Sequence, residues 1–277
     1  MSNPIFNNNP VFGEARRGRT ATQTSPATFG AGGAMATDAA SLERMYGSPT
    51  ATSRDTGRMT YDDVIMRTAG MFAVLLVTGA FTWVLAPGLF WVGMIVGLVL
   101  GLVNAFKKEP SPGLIMAYAA AQGVFLGGLS AVFEAMWPGV VVQAVLATVA
   151  TFAATLVLFR SGRVRVTAKS VRWLMVAMGG YLIFSLINVG LVWFGGMDGF
   201  GLRSEVQVLG IPLGVIVGIF AVGLAAFMLI VDFDSIKRGV EQGAPAKFAW
   251  TAAFGLVVTL VWLYVEFLRL FAILRGD

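Results

Sequence analysis

The chain has 277 residues, of which 57% are hydrophobic and only 13% are charged, with a formal net charge of +5 and a mean hydropathy of +0.77. Soluble domains carry roughly 25% charged residues, so this composition is typical of an integral membrane protein. The basic residues mostly stand between apolar runs, where they set membrane topology, and this disfavours a nucleic-acid-binding function, which would need a basic face on a soluble domain.

Two residue types with specialised chemistry are absent. Without cysteine the chain has no disulfide, no thiolate nucleophile and no thiolate metal site. Without histidine it lacks the usual physiological pH switch and the commonest metal ligand. A pH response must therefore come from carboxylates. Any metal site must be built from oxygen, which favours hard cations such as calcium or magnesium.

Residues 1–58 are polar, rich in Ser, Thr, Asn, Gly and Ala, and lack hydrophobic periodicity. This composition predicts a disordered cytoplasmic tail, because too little apolar surface is available to offset the entropy of ordering the chain. The tetrapeptide Asn-Pro-Ile-Phe at residues 3–6 recurs as Asn-Pro-Val-Phe at residues 9–12. The repeat is either a chance echo in a low-complexity segment or a short docking motif.

Residues 59–277 are predicted to form the membrane domain. Thr60 with Asp63 fits a capping box at the start of the first helix. Seven apolar runs follow, each approaching or exceeding the ~20 residues needed to cross ~30 Å of hydrocarbon. The predicted fold is an all-α polytopic bundle of seven transmembrane helices, with six as the alternative because the second run is short. The approximate runs are 64–86, 89–106, 114–136, 139–159, 171–194, 207–231 and 250–274.

Basic residues cluster in every second connection between these runs. The positive-inside rule then places the amino terminus in the cytoplasm, and seven spans place the carboxyl terminus outside. The predicted location is the plasma membrane. The clustered residues are Lys107, Lys108, Arg160, Arg163, Arg165, Lys169, Arg172, Lys237, Arg238 and Lys247.

Glycines recur every four residues in two of the runs. Small residues on one helix face let membrane helices approach closely, so these repeats predict helix packing. The repeats are Gly93, Gly97 and Gly101, and Gly210, Gly214 and Gly218.

Two acidic positions lie inside hydrophobic sequence. Asp232, with Asp234 beside it, occurs in AAFMLIVDFDSIKRG, and Glu266 occurs in LVWLYVEFLRLFAIL. A carboxylate in an apolar span is costly, so each is a candidate ion-binding or pH-sensing group on an ion or proton pathway. The alternative for the first pair is a solvated helix end that faces Lys237 and Arg238.

Several basic residues are candidate counter-charges for these acids. Arg67, near the start of the first helix, and Lys107 with Lys108, at the end of the second, are candidates for Asp232. Snorkelling to the headgroups competes with that role for the lysines. Arg269 stands three residues after Glu266, where it would form a structural ion pair on one helix face.

Three segments resemble the transmembrane Bax inhibitor motif family. Residues 231–238, Val-Asp-Phe-Asp-Ser-Ile-Lys-Arg, resemble the end of that family's sixth helix. Residues 262–271 resemble the family's last helix, which has the pattern Leu-Tyr-Leu-Asp-x-x-x-Leu-Phe. Residues 122–127 resemble the Glu-Gly-x-x-x-Gly segment of the family's third helix, with Gln in place of Glu in this chain. The resemblance covers roughly residues 60–274. The polar tail and Gly-rich loops look like the bacterial, actinobacterial type.

The resemblance implies a seven-helix bundle with the last helix central. It also implies a pH-sensitive calcium leak, in which a carboxylate on the sixth helix and one on the seventh share a proton or bind the ion together. Asp232 takes the first role and Glu266 the second, and no cofactor other than calcium is expected. This chain departs from the pattern by having Glu on the last helix and by a longer separation between the two acids.

Other functions remain open on the sequence. An enzyme is disfavoured, since the histidine-dependent intramembrane proteases are excluded and no loop motif supports an aspartate protease. The stronger alternative is a regulatory or scaffolding membrane protein, for example a modulator of a membrane-bound quality-control protease. A proton-coupled transporter is a third. The expected partners are the lipid bilayer, calcium or protons, and such a protease.

Overall fold

The computed structural model describes residues 57–164, 166–196 and 199–276. Within these ranges seven helices are long and apolar enough to cross a membrane, which confirms the predicted all-α architecture. The predicted disorder of the first 56 residues lies outside the described part. The elements are α1 Tyr61–Leu85, α2 Phe90–Phe106, α3 Pro112–Met136, α4 Val140–Arg160, α5 Ala168–Phe194, α6 Leu202–Glu205, β1 Gln207–Val208, β2 Ile211–Pro212, α7 Leu213–Glu241 and α8 Ala249–Gly276.

The first described residues, from Gly57 onward, contact the connection between α7 and α8. The Met59 N–H donates to the carbonyl of Ala244 at 2.7 Å, and the Ala246 N–H donates to the carbonyl of Gly57 at 2.8 Å. The last two residues of the predicted tail therefore pack against the connection between α7 and α8. We call this end of the bundle, where α1 begins, the near end, and the end where α1 finishes the far end.

The capping box at the start of α1 is confirmed. The Asp63 N–H donates to the Thr60 hydroxyl at 3.1 Å, and the Thr60 N–H donates to the Asp63 carboxylate at 3.0 Å. These two bonds satisfy backbone donors that the first turn of a helix otherwise leaves without partners.

Removing the cap should weaken the fold measurably. Thr60→Ala is expected to lower the free energy of unfolding by about 1 kcal/mol, measured by unfolding in mixed detergent micelles. Thr148→Ala is the matched control, because the Thr148 hydroxyl bonds to the carbonyl of Ala144 one turn earlier in the same helix. A loss as large for the control would contradict the capping role.

The last helix, α8, is the centre of the bundle. About two thirds of its apolar stretch is buried, at 67%, compared with 6% for α5. It packs against α7, α4, α1 and α3, and Leu263 and Leu268 on it are fully buried. The predicted central position of the last helix is therefore confirmed.

One glycine repeat packs as predicted and the other does so in part. A Cβ on Gly93 would lie 2.9 Å from a backbone oxygen of α3, and one on Gly97 would meet the Gln122 side chain. Gly214 and Gly218 face α8 in the same way. The prediction is wrong for Gly210, which lies at a φ of +79° in the turn between β1 and β2.

The sixth span differs from the predicted run 207–231 at both ends. It begins later, because the β1–β2 hairpin precedes it. It continues to Glu241, because ion pairs one turn apart support its last turns: Asp234 with Arg238 at 2.9 Å and Lys237 with Glu241 at 3.8 Å. The two basic residues predicted to lie in a connection are therefore helical.

Candidate ion pathway

Asp232 is a half-buried carboxylate on the face of α7 that packs against α8. The Thr259 hydroxyl donates to its Oδ2 at 2.7 Å and also lies 3.1 Å from the carbonyl oxygen of Gly255. A Cβ on Gly255 would lie 3.8 Å from Oδ1, so small residues on α8 make room for the acid. Among the described residues no cationic side chain forms an ion pair with this carboxylate.

Glu266 is a fully buried carboxylate on α8, with 1% of its surface exposed. Its Oε1 accepts from Arg203 at 2.8 Å, and its Oε2 accepts from Arg269 at 3.1 Å and from the Tyr181 hydroxyl at 2.6 Å. The predicted ion pair between Glu266 and Arg269 is confirmed. A buried carboxylate is tolerated only when paired and hydrogen-bonded, and these three donors meet that condition.

Arg203 is the site residue that sequence reasoning missed. It lies on the short helix α6, in the connection between α5 and α7, yet only 2% of its surface is exposed. Its Nη2 lies 3.1 Å from the Tyr181 hydroxyl and 3.3 Å from the Ser185 hydroxyl. Burial acts to lower the pKa of Arg203, but the Glu266 carboxylate and the Tyr181 hydroxyl outweigh it and raise the pKa, so the guanidinium stays charged.

The two carboxylates do not form one coupled pair in this structure. Asp232 lies at the level of Thr259, and Glu266 follows seven residues later on α8, about 10 Å nearer the far end at 1.5 Å per residue. Among the described residues no hydrogen bond joins the two acids, because Glu266 is held by two arginines and Asp232 lies about two turns away. The contact between the two acids that the resemblance implies is absent from this arrangement, and a shared proton or shared ion stays a prediction.

The sequence matches the family model described as Bax inhibitor 1 like over residues 3–276. The chain belongs to the Bax inhibitor 1 like family. A search of curated proteins found no match. The matched region of this Bax inhibitor 1 like protein includes the amino-terminal segment predicted to be a tail. The resemblance drawn from the helix motifs is confirmed, while the actinobacterial type stays a prediction.

Asp234 does not join Asp232 in this Bax inhibitor 1 like bundle. Two residues apart on a helix, the side chains point about 200° apart around the axis, at 3.6 residues per turn. Asp234 pairs with Arg238 at 2.9 Å. The alternative in which it faces that arginine at the end of the helix is therefore confirmed for Asp234 but not for Asp232.

The three counter-charges predicted for Asp232 lie elsewhere. Arg67 pairs with Asp63 at 3.8 Å, one turn earlier on α1. Lys107 and Lys108 are exposed at the near end, after the last turn of α2. Among the described residues none of the three forms an ion pair with Asp232.

The oxygen atoms around Asp232 do not form a closed metal site among the described residues. Calcium takes 6–8 oxygen ligands at about 2.3–2.6 Å in a closed site. Among the described residues no three acidic side chains come together. Asp232 offers one carboxylate, with the Thr259 hydroxyl and the Gly255 carbonyl beside it. These three oxygen-bearing groups are fewer than a closed calcium site needs.

Glu134, near the far end of α3, has a structural role. Its Oε1 accepts from the Gly139 N–H at 2.5 Å and its Oε2 from the Val141 N–H at 3.2 Å. These N–H groups form the start of α4, where a negative charge stabilises the helix dipole and the free donors. The carboxylate is therefore occupied as a helix cap.

Proposed function

We propose that this multi-pass Bax inhibitor 1 like protein is a pH-sensitive cation leak, with calcium as the first candidate ion and Asp232 as the ion-binding acid. The observation that carries the proposal is a half-buried carboxylate inside a membrane span, with one hydroxyl partner and no ion pair among the described residues. Such a group is stabilised by a cation or by a proton. Competition between the two at the same oxygens would make the leak pH-sensitive.

Glu266 has a different role in this proposal. Its carboxylate is already neutralised by Arg203 and Arg269, so it is not free to bind a passing ion in the arrangement observed. It serves instead to hold those two arginines inside the bundle. The pathway thus has one ion-binding acid toward the near end and a neutralised acid toward the far end.

We further propose that the near end faces the cytoplasm and that the membrane is the plasma membrane. Most of the basic residues after residue 58 lie at the near end, either in its connections or in the helix turns beside them, as the positive-inside rule requires of a cytoplasmic side. An ion that binds at Asp232 would then reach that acid from the cytoplasmic side after passing about ten residues of α7 and α8.

A non-enzymatic regulatory or scaffolding role is the second candidate. Members of the family are generally non-enzymatic membrane proteins. The family match begins at residue 3 and so includes the repeated Asn-Pro-x-Phe tetrapeptides. Because the family model covers this amino-terminal segment, the segment is a candidate for docking, for example on a membrane-bound quality-control protease.

Calcium flux into proteoliposomes, measured with a trapped indicator across acidic to mildly alkaline pH, tests the leak. We expect the intact protein to leak calcium. Asp232→Asn should lower the flux about tenfold, equivalent to ~1.4 kcal/mol of lost ion stabilisation, and flatten its pH dependence. Glu241→Gln is the matched control on the same helix, because Glu241 is exposed and, within the described part of the chain, its ion pair is with Lys237.

Two results would count against the proposal. An intact protein that passes no calcium at any pH would overturn the leak, and the regulatory role would become the leading one. An intact protein that leaks calcium, with an Asp232→Asn variant whose flux matches that of the control, would reject Asp232 as the ion-binding acid. Deleting residues 1–56 separates the two functions further, since transport should survive the deletion and docking should not.

A further inference from the structure

The segment that carries Arg203, residues 199–206, folds into the far end of the bundle. The Phe200 ring packs against the rings of Phe133 and Trp137, with centroids 6.3 Å and 5.7 Å apart. The Asn188 side-chain amide donates to the carbonyl of Phe200 at 3.2 Å. The segment is therefore held both by α3 and by α5, and we call it the far-end segment.

The cluster that this segment completes has more positive than negative charge. Arg203 and Arg269 contribute two guanidinium groups, which stay charged in proteins, and Glu266 contributes one carboxylate. Summed over these three side chains alone, the charge is one net positive charge. Around the Arg203 guanidinium, the rings of Tyr181 and Phe184 each lie 5.5 Å away and exclude water from that side.

We propose that Arg203 closes the far half of the cation pathway and discriminates most strongly against divalent ions. The proposal rests on the proposed cation leak. An ion that leaves the level of Asp232 toward the far end meets the cluster about 10 Å further along α8. At that distance and an effective dielectric constant of ~20, repulsion by one net positive charge lowers the occupancy of a monovalent cation on the order of tenfold. It lowers the occupancy of a divalent cation on the order of a hundredfold.

Helix α5 is the element whose movement would open this closure. Only 6% of its apolar stretch is buried, the smallest share among the seven spans described. Three of its polar side chains hold the far-end segment: Tyr181 and Ser185 bond to Arg203, and Asn188 bonds to the segment backbone. Displacing α5 would release Arg203 while Glu266 keeps its partner Arg269.

Flux through Arg203→Gln and Arg203→Lys tests the charge directly. The glutamine variant makes the cluster neutral, so calcium flux should rise about tenfold more than potassium flux does, as expected for one charge acting on ions of different valence. The lysine variant keeps the charge and should keep the ratio of the two fluxes. Equal rises for both ions in the glutamine variant, or no rise, would overturn the proposal.

A second readout does not depend on flux. The chain has no cysteine, so a single cysteine introduced as Gly255→Cys reports access to Asp232. A membrane-impermeant cationic thiol reagent added at the far end should label it about tenfold faster with Arg203→Gln than with Arg203 intact, the factor expected for a monovalent cation. Equal labelling rates would overturn the closure. Faster labelling without calcium flux in any variant would instead reject the leak and retain the closure.

Tyr181→Phe covers the case in which Arg203→Gln fails to fold. It removes the hydroxyl between Arg203 and Glu266 but leaves every charge and the aromatic ring in place. Labelling at position 255 should rise by a smaller factor than with Arg203→Gln, while the ratio of calcium to potassium flux stays unchanged. A folded Tyr181→Phe variant with unchanged labelling would contradict the holding role of α5.

Discussion

Glu266→Gln is expected to lower the free energy of unfolding by about 3–5 kcal/mol, the cost of removing one partner from a buried ion pair. The substitution leaves Arg203 buried with a neutral amide in place of the carboxylate, and it leaves two guanidinium groups facing one another without their shared anion. An unpaired buried charge is far more costly than a lost surface bridge. Unfolding in mixed detergent micelles, followed by the loss of helical signal, measures the effect.

The control for this prediction is Glu241→Gln. Its ion pair with Lys237 is exposed, at 3.8 Å, so the change should stay within about 0.5 kcal/mol. Arg203→Gln should be less damaging than Glu266→Gln, because Glu266 then keeps Arg269. In the double variant the two losses should not add, with a coupling of about 1–3 kcal/mol. Equal stabilities of Glu266→Gln and the control would show that the cluster contributes nothing to folding.

Much of the architecture could be predicted from local sequence. Length and hydropathy define the spans, because a helix must be apolar for about 20 residues to cross the hydrocarbon. The cap formed by Thr60 and Asp63 and the pair formed by Glu266 and Arg269 were likewise predictable, since both depend on residues three apart on one helix. The helix-packing prediction failed at Gly210, because the turn between β1 and β2 lies where the four-residue glycine repeat was expected to be helical.

The candidate site was predictable in its acids but not in their partners. Asp232 and Glu266 stand out because carboxylates are rare in apolar runs. Arg203 does not, because it belongs to a connection that the sequence assigns to the far-end surface, and its partner is 63 residues away. The available signal is the stretch Gly-Phe-Gly-Leu just before it, because its two large apolar side chains, Phe200 and Leu202, favour packing against the bundle. How deeply that connection enters the bundle determines which acid pairs with which arginine.

Among the described helices, α1 and α3 make the closest backbone approach, and glycines on both helices make it possible. A Cβ on Gly127 would lie 2.7 Å from the Gly79 Cα, and a Cβ on Gly123 would lie 3.0 Å from the Leu75 carbonyl carbon. These neighbours are backbone atoms, so no side-chain rotation can relieve the overlap. In a bilayer, where lipid is as apolar as the helices, close packing of this kind is a main source of helix association.

Gly127→Ala should therefore lower the free energy of unfolding by about 2–3 kcal/mol, the upper part of the range for overpacking, because α1 must move away from α3. Gly180→Ala on α5 is the matched control, since its Cβ would meet nothing within 4 Å. There the gain in helix propensity should leave stability unchanged or raise it by about 0.5–1 kcal/mol. If the two alanine variants unfolded alike, the backbone contact between α1 and α3 would not be a determinant of the fold.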